Sequence, residues 1–332
     1  MSYDSPLAEL PKSLQSMIAD AQQAIADWDP EEDSDSDTLQ FVRESTLRLS
    51  RGEYEERLYW ECLAEDLEEA GDWRGALASY ERILKLPGLD SIYAAQACSA
   101  VALIQRLFGE YEAELASRRL ATEKSDDGSR ILTRHYIANE AAALQRLGFT
   151  RQARRLVHRT LAWRQSEGEI VDYLGIARLL IVSARCDLAR KKPASAAESL
   201  QAAWAWLEAL VQEYAGEHKD LLRSASGIHL AHVWWWHTEA NRRRLAGEGD
   251  TEIAALEQAI EKARLCFDPD GWRAHWDDLT LMQLLLQMSE AYGRHNRPTE
   301  ATAFRSEAEE IFKRRRFPEA TKLSTAFLKR LP

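Results

Sequence analysis

Between Leu63 and Pro87 the chain reads LAEDLEEAGDWRGALASYERILKLP. Ahead of Gly71, the apolar residues Trp60, Leu63, Ala64, Leu67 and Ala70 recur at three- and four-residue steps, which lays one apolar stripe along a helix. Beyond it, Trp73, Ala76, Leu77, Tyr80, Ile83 and Leu84 make a second stripe. Gly71 can end the first helix in a left-handed conformation, and Asp72 can cap the second. Pro87 and Gly88 stop it. The pattern predicts a helical hairpin turning at Gly71-Asp72, with the small Ala76 allowing close approach of the two backbones.

Weaker copies follow. Ala94–Phe108 and Tyr111–Thr122 flank Gly109, with Glu114 and Arg118 where the first copy has Ala76 and Tyr80. Ile137, Ala141 and Leu144 lead into Gly148, followed by Ala153, Val157 and Leu161. A fourth copy turns at Lys191–Pro193, and its second helix is expected to run on to about Tyr214. A fifth turns at Gly247–Asp250 and a sixth at Asn296–Pro298. Upstream, Leu10, Leu14, Met17, Ile18, Ala21 and Ile25 predict a helix within residues 5–28. The apolar-free run DPEEDSDSD at residues 29–37 reads as a solvated loop, and a short helix is expected over 39–49. The chain thus divides into N-terminal capping helices (1–56), a hairpin array (57–316) and a closing helix in the last segment (317–332).

Through Trp60, Leu63, Ala64, Gly71, Ala76 and Tyr80, and through its recurrence, the pattern resembles the tetratricopeptide repeat. The resemblance implies an all-α fold in which hairpins stack as a right-handed superhelix, with first helices lining the groove. The predicted turns step by 38, 39, 43, 57 and 48 residues, against about 34 in the regular repeat. Elongated helices in the middle of the array are therefore expected.

Composition agrees with helices. In 332 residues there are only 15 Gly and 9 Pro, too few for many strands and their turns. No apolar run is long enough to span a bilayer. The start MSYDSPLAELPKSLQ lacks the basic and apolar regions of a secretory signal, so a cytoplasmic chain is expected. Four scattered cysteines without CxxC spacing read as buried thiols. The net charge of −11 is uneven: residues 1–100 hold 22 acidic against 8 basic side chains, and the rest 32 against 35. That acidic first third argues against nucleic acid as a partner.

By the resemblance, the groove side of the first copy would carry Glu61, Glu65, Glu68 and Glu69, an acidic wall suited to a basic partner. Repeats that clamp the carboxylate tails of chaperones place Lys and Asn there, so this copy disfavours such tails. The third copy would present His135, Asn139 and Arg146, a set suited to peptide backbone or acidic groups, with Arg151 and Arg155 in a basic stripe on its second helix. In IHLAHVWWWHTEANRRR, Trp234 and Trp235 are candidates for an aromatic patch shared with Trp272 and Trp276. The histidines there diverge around the helix, so no metal site is expected. Phosphate loops, GxSxG and HExxH are absent.

These features lead to the expectation of a noncatalytic protein-interaction module without cofactor, a scaffold, adaptor or regulatory subunit that docks a peptide or helix. A sensor of a small ligand near the tryptophans is the runner-up, and an enzyme with a composite site comes third. Ala76→Leu should lower stability by about 1–3 kcal/mol through overpacking; denaturant unfolding that matches wild type would mean a wrong hairpin register.

Overall fold

The computed structural model describes residues 10–26, 37–52, 55–125, 130–163, 172–214, 226–265 and 274–318. Among them every regular element is a helix, and the fold is an all-α solenoid of hairpins. Two compact units divide the chain, Met1–Leu89 and Asp90–Pro332.

In the first unit, α1 (Lys12–Ala26) packs on α2 (Asp37–Ser50) and on α3 (Glu56–Ala70), and α3 pairs with α4 (Trp73–Ile83). Leu10, Leu14 and Ile18 meet Cys62 in the core, with Leu58 and Tyr59 against them. Asp66 of α3 caps α1 from outside its own helix. Its carboxylate accepts the backbone N–H of Lys12 and, at 3.0 Å, that of Ser13, satisfying donors that a helix start leaves orphaned. The Ser13 hydroxyl donates to the Cys62 carbonyl at 2.9 Å. Ala76 is fully buried beside Trp73, Leu77, Tyr80 and Ile83.

The second unit holds five hairpins: α5 (Ser91–Leu107) with α6 (Tyr111–Ser125), α7 (Arg130–Arg146) with α8 (Thr150–Leu161), α9 (Tyr173–Ala189) with α10 (Pro193–Tyr214), α11 (Ser226–Ala246) with α12 (Gly249–Leu265), and α13 (Ala274–Arg294) with α14 (Pro298–Arg314). Each packs on the next. Small residues make the contacts close. Ala138, Ala141 and Ala142 of α7 and Ala153 of α8 lie in one core with Leu115, Leu144, Val157, Leu179 and Val182. Ile181, Ala184, Ala196, Leu200 and Ala203 form the next, with Trp234 and Trp235 packed on it. Each fully buried leucine or isoleucine is worth roughly 1.5–3 kcal/mol.

All six hairpins turn by one device. A left-handed residue follows the first helix, its N–H and the next one returning to carbonyls of that helix. Gly71 donates to Glu68 at 3.0 Å and Asp72 to Leu67 at 2.8 Å; Gly148 and Phe149 repeat this at 3.0 and 2.9 Å. Four of the left-handed positions are Gly71, Gly109, Gly148 and Gly247, whereas Lys191 (φ 58°) and Asn296 (φ 55°) fill the other two. The turns fall where the sequence pattern puts them, and the 22 residues of α10 bear out the long helix of the fourth copy. The acidic run up to Ser36 lies outside the described residues; its last residue, Asp37, opens α2. Of the closing helix only Phe317, buried with its N–H on the Phe312 carbonyl, and Pro318 are described. No helix among the described residues is long and apolar enough to cross a membrane.

A Cβ added at Gly148 would meet nothing within 4 Å, so Gly148→Ala isolates the backbone cost. It should destabilise by roughly 1 kcal/mol, and Lys191→Gly should stabilise by a similar amount, since a left-handed residue with a side chain costs about 1–2 kcal/mol. Urea unfolding of both variants checks this, and shifts of the same sign would contradict the turn geometry.

Candidate functional site

The first helices of the second unit share an inward face that is polar. Arg106 lies in the last turn of α5 and Arg146 ends α7, where a cation is favoured by the carbonyl end of the helix dipole. Arg185 belongs to α9, His237 and Asn241 to α11, and Gln283 and Gln287 to α13. Arg106 Nη2 donates to Gln283 Oε1 at 3.4 Å across 177 residues of sequence, so the first helices of the unit's first and last hairpins converge. His237 is hydrogen-bonded to Gln287, and Asn241 Nδ2 lies 3.2 Å from its Nε2. Arg185 is held rigidly: its Nε donates to Thr238 Oγ1 at 2.9 Å, the Thr238 hydroxyl donates to the Trp234 carbonyl at 2.7 Å, and the guanidinium carbon stands 5.3 Å from the Trp234 ring centre.

Charge on this face is strongly positive. Burial pushes Arg185 down to about 9, with the charges of Arg146 and Arg106 adding to it. Burial likewise takes Arg106 and Arg118 to about 10. All three therefore remain cations near neutral pH. Glu114 is the carboxylate among them. It is almost fully buried, bonded through Oε1 to Arg146 and 3.9 Å from Arg118, while its Oε2 is buried without a hydrogen bond. Arg118 donates to Ser99 Oγ at 2.7 Å. His237 is driven down to about 3 by burial and by Arg185, so it is a neutral hydrogen-bonding ring. Arg106 and His237 are half-buried and desolvated. Such a face can take an oxyanion on its guanidinium groups and a peptide backbone on its amides.

The acidic residues of α3 do not act as one wall. Glu61 is tied to Arg57. Glu68 is buried and hydrogen-bonded to the Tyr80 hydroxyl, so it is a packing residue of the hairpin. Glu65 is half-buried and Glu69 exposed. Burial, then Glu61, Glu68, Asp66 and Glu69, push the Glu65 carboxyl up to about 7.

Of the polar set on α7, Arg146 joins the inward face. His135 and Asn139 are partnered with each other at 3.1 Å, and His135 Nδ1 also takes Arg178. Arg151 and Arg155 are exposed on α8, whereas their neighbour Arg154 is 3.7 Å from Asp187. Trp234 and Trp235 pack against α9 and α10, Trp235 Nε1 donating to the Leu200 carbonyl at 2.7 Å. Trp204 stands 4.7 Å from Trp235. Trp272 and the side chain of Trp276 lie outside the described residues. No group of three His, Cys, Asp or Glu among the described residues is arranged to hold a metal. Burial holds Cys62 and Cys98 up at about 11 and Cys186 at about 12, so these thiols are not nucleophiles.

Sequence reasoning missed Arg106, Arg185, Asn241, Gln283 and Gln287, and took Glu114 and Arg118 for decay of the repeat. A signal was present. Arg178 and Arg185 interrupt the largely apolar stretch IARLLIVSARC, where an unexplained cation points to a polar interior.

No protein-family model matches the chain, and no curated protein matches it in sequence. Among solved structures it is similar to the Rap protein complexed with competence and sporulation factor, with 15% identity and a TM-score of 0.49 over 94% of this chain and 99% of that one. It is similar also to BtubC (BKLC) from P. vanneervenii, with 13% identity and a TM-score of 0.33 over 93% and 92% of the two chains.

The shift at Glu65 sets a pH dependence. Between its ordinary value of 4.5 and about 7 the folded chain holds a proton that the unfolded chain has released, so this group's contribution to stability falls as pH rises through that window. Thermal midpoints between pH 5 and 8 should decline in wild type, and Glu65→Gln should flatten the decline. An unchanged slope would remove Glu65 as its source.

Proposed function

We propose that this chain is a noncatalytic binding protein whose second unit docks a peptide, or a helix of a partner protein, against the inward face of α5, α7, α9, α11 and α13. The observation that carries the reading is the convergence of Arg106, Arg146, Arg185, His237, Asn241, Gln283 and Gln287 from five separate helices. A buried face that served stability alone would be better filled with apolar side chains, because desolvated polar groups left without partners cost about 1–3 kcal/mol each. Here Arg106 Nε, Arg146 Nε and Gln283 Nε2 are buried without hydrogen bonds. Amides and guanidinium groups at several levels of one face match the repeating carbonyls and N–H groups of an extended chain.

This reading places the principal site on the second unit and not on the acidic side of α3. There, Glu61, Asp66 and Glu68 already have partners within the first unit. A cytoplasmic scaffold, adaptor or regulatory subunit would use such a module to bring a partner's segment under control of the helical stack.

The test is selection of random twelve-residue peptides displayed on phage against the full-length chain, followed by photo-crosslinking of the winners. Crosslinks should fall on α7, α9 and α11. Failure to enrich any peptide, or crosslinks confined to the outer helices α8, α10 and α12, would overturn the proposal.

A further inference from the structure

Arg185 differs from most charged side chains of the second unit's interior, which sit beside a group of opposite charge. Asp172 has Arg134 at 3.8 Å, Asp187 has Arg154 and Arg190, Glu239 has Arg242 and Arg243, and Asp278 has Arg314 and Arg315. Arg146 and Arg118 share Glu114. Arg185 is buried, only 5% exposed, with no carboxylate within 4 Å among the described residues. Its hydrogen bond uses Nε, on Thr238, and among the described residues the terminal nitrogens Nη1 and Nη2 have no partner. The ring of Trp234 and the bond to Thr238 fix the plane of the guanidinium. A fork oriented in advance and unmatched in charge is built to receive a planar oxyanion through two parallel N–H bonds.

The carboxylate bonded to Arg146 fits the same logic. Glu114 holds Arg146 with Oε1, while Oε2 is buried and unbonded. It therefore supplies negative charge to Arg146 and Arg106, the cations that act on Arg185, from inside the fold, where an incoming acid would supply it from outside. Two anions at one set of cations compete, and the fixed one lowers affinity for the free one.

We infer that Arg185 is the reading point for a side-chain carboxylate of an acidic peptide segment, and that Glu114 is a built-in competitor for that carboxylate. This rests on the proposed docking of a peptide at the inward face and names the chemistry that the face selects. Glutamate or aspartate fits better than a larger oxyanion, because Trp234 lies against the guanidinium and Thr238 already takes its Nε.

The test uses full-length protein, calorimetric titration at low salt, and hexaglutamate acetylated and amidated at its ends, with hexaglutamine and inorganic phosphate as the comparison probes. Hexaglutamate should bind saturably and alter tryptophan emission, and hexaglutamine should not bind. Arg185→Gln should weaken hexaglutamate by about tenfold or more, the loss expected of a charge-assisted pair. Arg185→Lys retains the charge without the fork and should also weaken it, which keeps the test decisive if the glutamine variant does not fold. Glu114→Gln should tighten binding. Equal affinity of wild type and both Arg185 variants overturns the inference, as does binding of phosphate in place of hexaglutamate. Peptides selected on the intact chain that lack acidic residues and ignore Arg185→Gln would sink this inference while leaving peptide docking standing. An absence of any selected peptide would sink both.

Discussion

A left-handed residue at each hairpin turn is the constraint on which the second unit's architecture rests. It lets the last N–H groups of a turn double back onto the helix they have left, so the following helix starts antiparallel and alongside. Repeated at Gly109, Gly148, Lys191, Gly247 and Asn296, this brings α5, α7, α9, α11 and α13 to one side of the unit. Alanines then set how near the layers come. The inward face is what remains once those contacts are made, and its polar residues converge because the turns leave them no other place.

That face carries an electrostatic tension. Burying a cation without an anion costs several kcal/mol, and the fold offsets part of it in three ways. Arg185 lies against the negative face of an indole. Arg106 and Arg146 sit at the carbonyl ends of their helices. Glu114 lies between Arg146 and Arg118. His237 stays neutral in the same field, adding a donor and an acceptor without adding charge. On that face Arg106, Arg118, Arg146 and Arg185 outnumber the one carboxylate of Glu114, within a chain whose net charge is −11.

The hairpins were legible in the sequence because their causes are local. Glycine, a capping residue and an apolar stripe fall within a few residues of one another, and the length of α10 follows from periodicity alone. The candidate site was not legible, since it depends on which few of 43 basic residues meet across as many as 177 positions. Glu68 shows the same limit at short range. The resemblance to the tetratricopeptide repeat implied a groove-side place for it, yet Tyr80 on the paired helix draws it into the hairpin. Glu114 and Arg118 show the converse, because residues that break the repeat's motif are partners in a buried network and need each other there.

The inward face is made mostly of long, flexible amides and guanidinium groups, and this bears on how finely it can discriminate. A rigid apolar pocket rejects a ligand by volume, and one methylene too many is refused. A lining of Gln283, Gln287, Asn241 and Arg106 can instead follow a ligand by rotating side chains or admitting a water molecule. Away from the fixed fork of Arg185, recognition on such a surface is graded: segments that differ at single positions are ranked by small steps in dwell time. Heat released on binding would then come with little change in heat capacity, because little apolar surface leaves water.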